Sequence, residues 1–136
     1  MPIIEKTDTG KLEQIRKLVS VANDTIDLPD ATIASDVFLG EANLFIQGKV
    51  PGWAELTGDA QTQLQIITMK KAAVNLLAAF SRTTEERIEE VSESRIGLTP
   101  AEAIKRYESE IEIGIKILNP PNGADGGAYA VVVEVF

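Results

Sequence analysis

The chain has 136 residues, enough for one domain and cramped for two. A domain of this length buries roughly two-thirds of its unfolded-chain surface and needs no disulfide or metal to fold. It contains no cysteine and no histidine, which removes thiol nucleophiles, thiolate metal sites and the commonest neutral-pH base, and its net charge of −8 opposes binding to phosphate.

Residues 1–10 read as an extended arm ending in Asp8-Thr9-Gly10. Leu12, Ile15, Leu18, Val19 and Ala22 recur at helical spacing and predict a short helix over Lys11–Ala22. Asn23-Asp24-Thr25-Ile26-Asp27 reads as a loop, because these side chains bond their own backbone. Asp30 is a candidate N-cap for a second helix ending at Gly48, with Ala34, Val37, Phe38, Ala42, Phe45 and Ile46 as its apolar stripe. Val50-Pro51-Gly52-Trp53 is a tight connection, and Trp53 is expected to pack over the end of the bundle.

The strongest helix begins at Asp59 and reaches about Ser81. Its second half, Ala72 to Phe80, is apolar almost all round, which makes it the expected centre of the core. Asn75, the one polar residue there, needs a hydrogen-bond partner, expected from another helix or a loop. The stretch Arg82–Gly97 is ambiguous. Thr83 with Glu86 fits a capping box, whereas Val91 to Ile96 alternates like a strand, and the segment is expected to be exposed and mobile.

Thr99, Pro100 and Glu102 form a clear helix start. Ala101, Ile104, Tyr107, Ile111, Ile115 and Leu118 then follow a helical stripe. Glu110–Ile117 also alternates as a strand would and Gly114 weakens a helix, but the cap and the stripe favour helix. Asn119-Pro120-Pro121-Asn122-Gly123 stops it, and Gly126-Gly127 adds a joint before Tyr129–Phe136, the best strand candidate in the chain. The fold class expected is mainly α: a small helical bundle around a central alanine-rich helix, with an extended N-terminal arm and a C-terminal β-strand arm. Residues 1–118 would form the helical domain and 119–136 the tethered arm.

The search for chemistry is mostly negative. No phosphate loop or dinucleotide fingerprint occurs. Asp24, Asp27 and Asp30 superficially suggest calcium but lack the spacing, glycine and closing glutamate of a calcium loop, so capping and loop solvation explain them. No catalytic residue, cofactor or metal is expected. The longest apolar stretch is too short to cross a bilayer and the N-terminus lacks the regions of a signal peptide, so a soluble chain without membrane contact is expected.

Two features invite a functional reading. Glu85, Glu86, Glu89, Glu90 and Glu93 form an acidic strip. It is either a solvated face with weak surface pairs or a negative surface past which a polyanion slides without sticking. Tyr129, Val131, Val132, Val133, Val135 and Phe136 belong to a strand with no evident companion. It either pairs with Ile3-Ile4 in the same domain or adds to a neighbouring protomer or another protein.

The run Leu28 to Ile33 leading into Phe38 to Ile46 resembles the second-helix region of head-to-tail connector (adaptor) proteins of tailed bacteriophages. The alanine-rich helix Gln63–Phe80, the glutamate- and serine-rich Glu89–Gly97, and the closing helix through Ala103–Glu108 and Ile115–Leu118 are similar in kind to parts of the same neck proteins, so the resemblance spans residues 28–118. It implies a structural virion protein assembled in the host cytoplasm as a homo-oligomeric ring, commonly of twelve subunits. The ring would dock under the portal protein, extend the DNA channel without binding DNA specifically, and offer a surface to tail-terminator or stopper proteins. The competing expectations are a helical protein-binding adaptor without enzymatic activity and, more remotely, an enzyme using carboxylates alone.

Overall fold

Residues 2–22, 27–80 and 99–118 are described in the computed structural model of the chain, and every regular element among them is helical. The Asp8 carboxylate accepts the Lys11 backbone N–H at 3.3 Å and so caps helix α1, Thr9–Ser20. The helix therefore starts ahead of the expected Lys11 and ends before Ala22. The segment preceding it, expected as an extended arm, is anchored on the core. Ile4 is 1% exposed. Its N–H donates to Asn43 Oδ1 at 3.0 Å and its carbonyl accepts from Asn43 Nδ2 at 3.1 Å. A side-chain amide carries one donor group and one acceptor, so Asn43 serves this backbone as a neighbouring strand would.

Arg16 ties α1 to the start of the next element. Its Nε donates to Leu28 O at 2.9 Å, one terminal nitrogen reaches Asp30 Oδ1 at 2.5 Å, and another pairs with Glu13. Asp30 is therefore not the expected cap. Pro29 holds the cap position without a side-chain bond. The single second helix is also corrected to three pieces: α2, Asp30–Ile33; one π turn, Asp36–Gly40; and α3, Glu41–Lys49. Ser35 is extended at ψ 161°, and its carbonyl accepts from Phe38 N and Gly40 N. The wider turn rotates the residues around it. Ile33 and Leu39 are fully buried, while Val37, expected in the apolar stripe, is 67% exposed.

Gly58, at φ 64°, leads into α4, Gly58–Phe80, the axis of the bundle, which packs against α1, the π turn, α3 and the last helix. Ala72, Ala73, Leu76 and Leu77 are completely buried, as the all-round apolar run requires, but Ala78 and Ala79 are exposed, so full enclosure stops at Leu77. Asn75 finds its expected partners: Nδ2 donates to Phe38 O at 3.1 Å and to Glu41 Oε1 at 2.8 Å. Trp53, in a 3₁₀ turn Trp53–Glu55, is half-buried against the core.

Helix α5, Pro100–Leu118, begins with the predicted reciprocal cap: Glu102 N donates to Thr99 Oγ1 at 3.2 Å and Thr99 N to Glu102 Oε1 at 2.9 Å. The strand alternative over Glu110–Ile117 does not form. The buried stripe differs at its start, where Ala103 is buried and Ala101 exposed. Gly114, which reads in sequence as a weak point, lies at a close approach of α5 to α4. A Cβ there would sit 2.4 Å from Ile67 Cγ2 and 2.8 Å from Gln63 Nε2. At the other side of the core, the Tyr107 hydroxyl donates to Leu18 O at 2.8 Å and joins α5 to α1.

Candidate interaction surface

Both sets of residues singled out from sequence lie outside the described residues. These are the acidic strip Glu85, Glu86, Glu89, Glu90 and Glu93, and the strand residues Tyr129, Val131, Val132, Val133, Val135 and Phe136. The same holds for Asp24 and the possible capping box at Thr83. Among the described acids, Asp30 is held by Arg16 rather than gathered with other carboxylates. No group of three or more His, Cys, Asp or Glu that could hold a metal occurs among the described residues, and no described helix is long and apolar enough to cross a membrane.

What the fold does expose is two large aliphatic side chains, one on the π turn and one on α3. Val37 is 67% exposed and Leu44 71%. They border different hollows, Val37 beside Glu41 and Asn75 and Leu44 beside Lys6 and Asp36. The buried side of the same stretch explains the arrangement: Leu39, Ala42 and Ile46 are fully enclosed and fix which residues must point outward. Polar groups lie beside Leu44. Lys6 Nζ reaches Asp36 Oδ1 at 2.7 Å, and this hydrogen bond, with the lysine charge, holds the Asp36 carboxyl below its ordinary pKa. Both side chains are well exposed, so the pair contributes little to stability. At the far end of α4, Phe80 stacks obliquely on Phe38 with ring centroids 5.6 Å apart.

A second feature is a groove of about 440 Å³ where α3, α4 and α5 meet. Phe45, Ile111 and Ile115 give it apolar walls. Lys49, Lys71 and Lys116 bring positive charge to it, and Glu108 and Glu112 negative charge. Lys71 Nζ lies 4.6 Å from the centre of the Phe45 ring and Lys49 Nζ 5.6 Å, so the ring face carries two cations. Lys71 also approaches Glu41 at 3.8 Å, which joins this cluster to the Asn75 network.

Sequence reasoning missed the exposure of Val37 because a regular helix would have turned it inward. It missed the groove because the residues come from three helices far apart in the chain. No protein-family model, curated protein or solved structure matches the chain.

Proposed function

We propose that the chain is a structural protein of a bacteriophage neck: a ring-forming head-to-tail connector that docks under the portal, extends the DNA channel and receives tail or stopper proteins. The observation that carries this reading is the exposure of Val37 and Leu44. Two large aliphatic side chains left in water beside a fully formed core offer apolar surface that a neighbouring copy would cover. The polar border of Lys6 and Asp36 matches the apolar centre and wet rim of protein interfaces. The resemblance over residues 28–118 supplies the kind of assembly. The acidic balance of the chain suits a wall past which DNA moves without adhering.

The ring assigns Val37 and Leu44 to contacts between neighbouring copies. Negative-stain imaging of the protein alone and with portal particles tests this reading. Closed rings or decorated portals support it, and a clean monomer in every mixture overturns it.

A further inference from the structure

We propose that residues 2–7 form a strap that opens as a unit while the helical core stays folded, with Asn43 as its latch. This goes beyond the connector reading and holds whether or not rings form.

The strap is fastened at its apolar end. Ile4 is fully buried, Ile3 packs partly against the core, and both Ile4 backbone groups are bonded to Asn43. The side chains that follow, Glu5, Lys6 and Thr7, are exposed, and the Lys6–Asp36 pair is a surface contact of little worth. Backbone bonding takes over at Asp8, whose N–H donates to Glu5 O at 3.1 Å and whose carboxylate caps α1 at Lys11 N. A hinge at residues 5–7 therefore frees Ile3 and Ile4 without touching that cap.

Opening costs less than unfolding the bundle. It exposes one fully buried side chain, and the Ile4 and Asn43 groups exchange one another for water. Helix α4, by contrast, is enclosed at Ile67, Ala72, Ala73, Leu76 and Leu77. Segments with few buried contacts open below the global free energy.

The opening remodels the surface. Pro2 and Glu5 line two hollows, one of about 570 Å³ beside Gly40, Leu44 and Gln47, the other of about 510 Å³ beside Trp53, Leu64 and Gln65. The strap is the partition between them. When it lifts, the hollows join into one trough, and the Asn43 amide faces that trough unpaired. Strap position thereby regulates the surface that Leu44 presents.

Hydrogen exchange of the full chain by NMR, in urea below the unfolding transition, tests the opening. The Ile4 amide is expected to exchange about tenfold faster than that of Leu76, or more, and with a much smaller urea dependence because less surface is exposed. Ile4→Asp should hold the strap open. Helical circular dichroism is then retained, and acrylamide quenching of Trp53, the chain's single tryptophan, rises about twofold or more. Exchange at Ile4 that matches Leu76 in rate and urea dependence, loss of helicity in Ile4→Asp, or unchanged quenching of Trp53 would each overturn the proposal.

Discussion

Asn43 has the largest structural consequence of any polar side chain in the described core, because it alone serves both backbone groups of buried Ile4. Asn43→Ala leaves a donor and an acceptor unpaired away from water. The expected loss is about 2–4 kcal/mol in urea denaturation, with the N-terminal amides losing hydrogen-exchange protection first. Gly114 is the opposite case, a residue valued for what it lacks. Gly114→Ala improves intrinsic helix propensity by about 1 kcal/mol but drives a methyl into Ile67, at a cost of about 1–3 kcal/mol. A net destabilisation by thermal melting is expected, and a net gain would mean that α5 shifts freely on α4. Neither role was legible in the sequence. Asn43 sits in an ordinary amphipathic run, and a glycine inside a helix reads as weakness until the facing helix is known. Asn75 was legible, because a lone amide in an otherwise apolar helix has to find a partner.

Tyr107 belongs to the same scale. Burial raises its phenol above the ordinary 10.0. The folded state therefore favours the neutral form, and the associated stability is present below pH 10 and lost as pH rises through the higher folded value. Tyr107→Phe removes the bond to Leu18 O and should cost about 1 kcal/mol at neutral pH. Its deficit relative to the parent should shrink above pH 10, as followed by urea titrations at successive pH values.

At the scale of elements, the local signals were read correctly where the physics is local. The cap of α5 needs only Thr99, Pro100 and Glu102, and the structure forms it as read. Thr99→Ala should destabilise by about 1 kcal/mol. The Glu102 carboxyl is held below its ordinary value, first by the Thr99 backbone N–H and then by the Thr99 hydroxyl. Its contribution is therefore present above about pH 4.5 and lost as pH falls through the lower folded value. Glu102→Gln should flatten that acid limb in pH-dependent thermal melts, and an unchanged limb would exclude the cap as its source. The break at Ser35 was not legible. Nothing between Asp30 and Gly48 forbids one continuous helix. The interruption follows from packing, which buries both Ile33 and Leu39 and turns Val37 outward. That one displaced turn separates a surface residue from the core residue the periodicity implied.

For the whole molecule, the central place of α4 followed from the apolar run Ala72–Phe80, because a helix apolar on every side has to be surrounded, and the structure encloses that run as far as Leu77. The proposed assembly rests on different information: which apolar side chains the finished core leaves outside. Val37 and Leu44 are the most exposed of these among the described residues, ahead of Val21 and Phe80, and on the proposed reading their removal should act on association rather than folding. The most direct test is sedimentation velocity of the full chain beside the double variant Val37→Asp with Leu44→Asp, with helicity checked by circular dichroism. The account predicts a closed oligomer for the parent and a folded monomer for the double variant, a loss of at least a hundredfold in association. A parent chain that stays monomeric across the accessible concentration range, or an oligomer indifferent to both substitutions, would contradict it.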